Sequence, residues 1–309
     1  MPNELSHTTK RLLSNAIKTH QASPEKAEVS YQHKVLAQTC LPYRNPKGLE
    51  KWERYNGDTA MLIRSLEVLN PREKKSVIPG LPYGPKARIL MIYLNQQAIM
   101  NDSPLIDVED NMTAFLKRVH GSSLNGREIK AYKEQMTRLA SCHFSFAISI
   151  SDEQTIQDAA GKIVGAFDLW FPKDENQRVL WSSKIELSPE YFQTLKRYLV
   201  PLNENSVRAL SHSAMGLDIY TWLAQRLHRI PEDETHFIGW KNLKDQFGHG
   251  YGRMDNFKRV FRDTLQTVLT QYPEANRGSV IEDRNKGYHL KQAAPPVPYR
   301  KKAVKEIEG

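Results

Sequence analysis

The chain has 309 residues, a length that suits about two domains of ~150 residues each. Hydrophobic residues make up 39% and charged residues 26%, an ordinary balance for a folded protein that excludes wholesale disorder. Its 44 Lys and Arg against 35 Asp and Glu leave a net charge of +9, which favours a polyanion, nucleic acid or an acidic membrane face, without choosing between them.

No apolar run approaches the ~18 residues of a membrane-spanning helix, and Met1 to His20 holds no apolar signal core. Cys40 and Cys142 form neither a disulfide framework nor a metal-ligand spacing. A soluble cytoplasmic protein without a membrane partner is expected.

Residues 1–57 are polar and weakly patterned, and Pro24, Pro42, Pro46 and Gly48 interrupt them. They read as an N-terminal arm, disordered in part. Met61, Ile63, Leu66 and Val68 give a strand-like pattern within Thr59 to Leu69. A dense turn, Pro79-Gly-Leu-Pro-Tyr-Gly-Pro85, follows. Pro85 suits the first turn of a helix, where its missing N–H leaves nothing unpaired. That helix runs through Ile89, Ile92, Tyr93, Gln96 and Ile99 at 3.6-residue spacing.

Next come a short strand (Pro104 to Val108), a helix (Asp110 to Val119), a turn (Gly121 to Gly126) and a second helix, Arg127 to Ser141. Phe144 to Ile150, Lys162 to Phe171 and Val179 to Leu187 are rich in β-branched and aromatic residues and read as strands. Asp152, Glu153 and Asp158 between them read as a surface loop. Helix, short strand, helix, turn, helix and strands is the order of a winged helix.

The order then recurs. Ser188-Pro-Glu190 opens a capped short helix. Ser213 to Ile230 is a helix apolar around most of its circumference, hence central. Thr235 to Ile238 is a short strand, Trp240 to Phe247 a short helix, Gly248 to Gly252 a turn and Arg253 to Gln271 a long helix. Val280 to Asp283 and Tyr288 to Lys291 form a hairpin. The expected fold is therefore α+β, with two tandem winged-helix domains at 58–187 and 188–294. A basic, proline-containing tail occupies 295–309.

A helix that reads DNA hides one face in its own domain and offers basic or hydrogen-bonding groups on the other. In Arg253 to Gln271, Phe257, Val260, Phe261, Thr264, Leu265 and Val268 share one face. Asp255, Arg259, Arg262 and Gln266 share the other, with Lys258 on the flank. Arginines suit guanine edges or phosphates, and Gln266 suits adenine. The alternative is a solvated helix face, and the preceding turn and following hairpin tip the balance toward DNA. Arg253, at the helix start, joins the set. On the earlier helix, Arg127, Lys130 and Arg138 face outward with Glu134 among them, and they suit either phosphate contact or dimerisation. Arg284, Lys286 and Lys291 with the tail's Arg300, Lys301 and Lys302 add six positive charges uninterrupted by an acid. A basic wing of this kind lies along phosphates or the minor groove.

Signs of catalysis are missing from the sequence. Gly80 to Lys86 has the wrong spacing for a phosphate-binding loop, and Gly248-His-Gly-Tyr-Gly252 lacks the strand and spacing of a dinucleotide fingerprint. The ten histidines include no His-apolar-His pair such as a DNA-nicking initiator needs, and no zinc spacing occurs. His249 in its glycine turn reads as structural. No cofactor and no catalytic residue is expected.

Four stretches resemble the plasmid-encoded RepA-type replication initiators. They are Gly80-Leu-Pro-Tyr-Gly-Pro-Lys-Ala-Arg-Ile-Leu90; Glu134-Gln-Met-Thr-Arg-Leu139 leading to Cys142 and Phe144; Leu217-Asp-Ile-Tyr-Thr-Trp-Leu-Ala-Gln-Arg-Leu-His-Arg229; and Trp240 with Gln246-Phe-Gly248, Tyr251, Phe257-Lys258, Phe261 and Tyr272-Pro-Glu-Ala275. The resemblance spans roughly Thr59 to Pro296. It implies a sequence-specific binder of repeated double-stranded origin DNA that starts plasmid replication. It further implies contacts with the host replication initiator and the replicative helicase, and repression of its own promoter. Whether the chain forms a homodimer stays open. A dedicated transcriptional repressor with the same fold is the alternative.

Overall fold

The computed structural model describes residues 29–70, 74–107, 124–151, 154–166, 184–283 and 286–297, together with 12, 14, 114, 116 and 117. In chain order the first half runs β1 (Val29–His33), α1 (Lys34–Thr39), β2 (Lys51–Asn56), β3 (Thr59–Ser65), β4 (Val68–Asn70), β5 (Lys75–Val77), α2 (Gly84–Met100), β6 (Leu105–Asp107), α3 (Gly126–Ala140), β7 (Cys142–Ser151), β8 (Gln154–Lys162), β9 (Val164–Ala166) and β10 (Lys184–Leu187). The second half runs α4 (Pro189–Arg197), β11 (Leu199–Asn203), α5 (Glu204–Leu210), α6 (Ala214–Arg226), β12 (His236–Gly239), α7 (Trp240–Phe247), α8 (Met254–Thr270), β13 (Val280–Asp283) and β14 (Gly287–Leu290).

Two matching three-stranded antiparallel sheets organise the chain. Their orders are β6-β10-β9 and β12-β14-β13. In both, the strand before the helix pair joins the last strand of its unit, the pairing that closes a winged helix. The fold is α+β, with two tandem winged-helix units. The helix expected at Asp110 to Val119 falls almost entirely outside the described residues, though Leu116 is buried.

Each unit is built on one buried helix. Ala87, Ile89, Leu90, Met91, Ile92, Tyr93 and Leu94 are all buried along α2. Leu217, Ile219, Tyr220, Trp222 and Leu223 are buried along α6. A helix apolar on every side is stable only when neighbours surround it.

The strands expected to form the first wing divide into two groups. β7 pairs with β3, not with β6, and completes a second sheet of order β2-β3-β7-β8. Only β9 and β10 close onto β6. The loop expected around Asp158 is strand β8.

The N-terminal arm is corrected from residue 29 onward. β1 pairs with β11, from Val29 opposite Asn203 to His33 opposite Leu199. Val35, Leu36, Cys40, Leu41 and Trp52 are buried in the common core. The segment escaped notice because its apolar residues come in short bursts, too few to set a period, and find their partners far away in sequence. Each ribbon strand runs straight into a short helix that its last side chain caps. His33 Nδ1 accepts from Val35 N at 3.2 Å, and Asn203 Oδ1 accepts from Asn205 N at 2.9 Å. At the other end, Val297 is buried, so the core extends past Pro295, and residues 298–309 lie outside the described residues.

Candidate nucleic-acid interface

The second unit carries the clearest candidate surface. Trp240 opens α7, and its ring lies 5.8 Å from Phe261 and 5.4 Å from Tyr288, edge-on to both or nearly so. Its backbone N–H donates to Lys286 O at 3.0 Å, which ties the hairpin turn to the helix start. Phe247 at the end of α7 meets Trp222 of α6 at 5.4 Å and Phe261 of α8 at 5.7 Å. Phe257, Phe261, Leu265 and Val268 bury one face of α8 in this aromatic centre. The other face of α8 is left to water.

That outer face is not uniform. Arg259 is 68% exposed and held only lightly, by Asn256 Oδ1 at 3.2 Å and Asp263 Oδ2 at 3.7 Å. Gln266 is exposed. Arg262 is only 36% exposed. Its Nε and Nη2 both donate to Glu282 Oε1 of β13, at 2.9 and 2.6 Å, and its guanidinium stands 5.0 Å over the Trp240 ring. The hydrogen bond to Glu282 raises the pKa of Arg262. Lys258 stands 5.2 Å over the Trp240 ring. Arg262 thus staples the wing to the helix. Arg253 is exposed at the α8 start and pairs with Asp255 at 2.6 Å. Lys286 is exposed and 3.8 Å from Asp283, and Arg284 lies outside the described residues.

In the first unit, Arg127 and Lys130 are exposed on α3, behind a capping box between Asn125 and Glu128. Arg138 differs from the outward side chain expected. It is 12% exposed, donates to Leu81 O at 3.0 Å and to Glu134 Oε1 at 2.8 Å, and stands 5.0 Å over the Tyr83 ring. The Gly80 to Tyr83 segment lies across its face of α3, so Arg138 secures a turn instead of reaching outward. Gly80 takes a φ of 88°, and a Cβ there would sit 2.9 Å from Arg138 Nη1.

Two residues that sequence reasoning missed brace the second unit. Trp52 of β2 meets the His249 ring edge-on at 4.3 Å. Arg54 of β2 donates to Gln246 O at 3.1 Å and also to Asp245 O, at the end of α7. The alternation in Lys51-Trp-Glu-Arg-Tyr-Asn56 was the available signal. Burial, with the nearby Arg54 charge, lowers the pKa of His249. Among the described residues no three His, Cys, Asp or Glu side chains are placed to hold a metal ion, and no helix is long and apolar enough to cross a membrane.

The sequence profile described as "Plasmid encoded RepA protein" matches residues 81–242, just over half of the chain. The chain belongs to the plasmid encoded RepA protein family. The match runs from the Gly80 turn through the buried helix of the second unit to the start of α7. No curated protein matches the chain. Among solved structures, the selenomethionine crystal form of domains 2 and 3 of RctB is similar to this RepA-family chain with a TM-score of 0.51 and 10% identity, covering 84% of this chain and 98% of that one. A second RctB domain 2–3 structure gives a TM-score of 0.43 at 10% identity, over 90% and 97%. The first of these likenesses supports the fold alone.

Proposed function

We propose that this RepA-family protein is a plasmid replication initiator. It binds repeated origin DNA sequence-specifically through both winged helices, acts in the cytoplasm without a catalytic step, and helps to recruit the host initiator and the replicative helicase. One observation carries the DNA-binding reading. Arg259 and Gln266 stand exposed on a long helix whose opposite face is locked into an aromatic centre, next to a hairpin held to it by Arg262 and Glu282. A rigid helix with guanidinium and amide groups outward meets the needs of base and phosphate contact. Two such units on one chain suit successive major grooves ~34 Å apart, and their linkage raises the effective affinity of each. The host partners rest on family membership.

Footprinting of the DNA flanking the coding region tests this reading. Protected direct repeats that also support replication of a minimal plasmid are expected. Protection without replication points to a repressor, and equal binding to random duplexes removes sequence-specific recognition.

A further inference from the structure

The chain between α1 and β2 is anchored at both ends to other parts of the molecule. At one end, Arg88 of α2 donates to Leu41 O at 2.7 Å and Pro42 O at 3.2 Å, and its guanidinium stands 5.1 Å over the Tyr43 ring. At the other, Trp52 and Arg54 lock onto the turn and the end of α7. Between these anchors the chain makes a tight turn, Leu49 N to Pro46 O at 3.0 Å with Gly48 at a φ of 77°, which holds Lys47, with Arg44 just ahead of it. Both cations are exposed, and among the described residues neither pairs with a carboxylate.

This loop forms one wall of a groove of about 340 Å³. The facing wall is His249, Gly250, Tyr251 and Asn256, the turn and first residues of the helix proposed to read DNA. Among the described residues no carboxylate lines it. The neighbouring groove, which shares His249 and Gly250, is lined by Glu53 and Asp245 together with Arg54 and Lys244. The charges are balanced in that second groove, whereas those walling the first are cationic, so the first is the side that suits a polyanion.

We propose that Arg44 and Lys47 form a DNA backbone contact, engaging phosphates that flank the bases facing α8. The inference rests on the DNA-binding reading above and deepens it. The two cations belong to the N-terminal segment, yet they serve the second winged helix. The anchors at Arg88 and Trp52 hold them in place, so little ordering entropy opposes the contact.

The test is salt-titrated binding of the full chain to duplex fragments of the DNA flanking the coding region, with hydroxyl-radical footprinting. Each phosphate contact contributes ~0.9 to the slope of log affinity against log salt. Arg44→Gln with Lys47→Gln should therefore flatten the slope by about 1.8, which is about twelvefold less weakening between 50 and 200 mM salt. It should also erase backbone protection at one edge of the site. Both residues are exposed, and unchanged thermal melting confirms that the variant folds. Lys74→Gln with Lys196→Gln removes the same charge elsewhere and should leave the slope within about 0.5. An unchanged slope and footprint in the Arg44/Lys47 variant, with tight wild-type binding, overturns this inference alone. So does an equal loss in the control. A wild-type chain that binds no fragment overturns the DNA reading itself, and this contact with it.

Discussion

Arg88 and Asp218 join the buried helices of the two winged-helix units in one bidentate ion pair, Nε to Oδ1 at 2.7 Å and Nη2 to Oδ2 at 2.6 Å. Both side chains are nearly inaccessible, at 3% and 8% exposure. Burial opposes the charge on Arg88, and the carboxylate outweighs it, leaving the guanidinium pKa raised. Two of the four stretches that carry the family resemblance, Gly80 to Leu90 and Leu217 to Arg229, are thus tied together by this ion pair. Breaking a buried pair from one side costs about 3–5 kcal/mol. Asp218→Ala leaves Arg88 its bonds to the Leu41, Pro42 and Gly84 carbonyls. Arg88→Ala removes those bonds and strands a buried carboxylate. Urea unfolding should therefore rank Arg88→Ala as the more damaging change. The reverse order would mean that the carbonyl contacts contribute nothing.

The second wing depends on a close approach of β14 to β12. A Cβ on Gly287 would lie 2.0 Å from Ile238 O and 2.8 Å from Gly239 Cα, backbone atoms that no rotamer change can move. Gly287→Ala must separate the strands. A loss of about 2 kcal/mol or more is expected, in the range of overpacking, with local amide exchange accelerating in β12 and β14. Exchange that stays uniform across the unit would refute the local origin.

Arg259 and Arg262 sit one turn apart and should behave differently. Arg259→Ala with Gln266→Ala alters exposed side chains, so stability should shift by no more than about 0.5 kcal/mol. Discrimination against mismatched DNA should fall by about 1–3 kcal/mol. Glu282→Gln breaks a partly exposed pair worth about 0–1 kcal/mol and frees Arg262. The salt slope of DNA binding should then steepen by ~0.9, one added phosphate contact. Competition binding and salt titration read the two effects separately. An unaltered slope would assign Arg262 to bracing alone.

His33 gives stability a pH dependence. Burial, with the adjacent Lys34 charge, lowers its pKa to about 3, and its ring lies among Phe146, Tyr191 and Tyr198. The unfolded chain takes up a proton near pH 6.5 while the folded chain refuses it. The His33 contribution is therefore full above about pH 6.5 and is lost as pH falls from there toward 3, at up to about 1.4 kcal/mol per unit. His33→Asn retains a capping side chain and removes the titration. Denaturation between pH 7 and 4 should show a slope shallower by about one proton. An equal slope would place the acid sensitivity elsewhere.

Much of the second unit was legible because its signals are local. Trp240 to Phe247 is bounded by glycines at both ends, and Phe257, Phe261, Leu265 and Val268 keep helical spacing over several turns. The residues of β1, α1 and β2 had no such support. Their burial depends on β11, β3 and the α7 end, which are chosen by the whole fold and not by near neighbours. The same limit applies to the site. A helical wheel placed Arg138 outward correctly with respect to its own axis, but the Gly80 turn covering it is invisible to a wheel. Arg262 was placed on the correct face, and its commitment to Glu282 arises only when β13 folds back.

The β1–β11 ribbon has a consequence for how the chain is made. Val29 leaves the ribosome long before its partner Asn203 exists. Throughout that interval β1 presents an unpaired edge, and Arg88 awaits Asp218. Completion of the first unit's foundation therefore coincides with synthesis of the second, and a nascent chain halted near residue 187 should hold its leading segment in a protease-sensitive state until translation resumes.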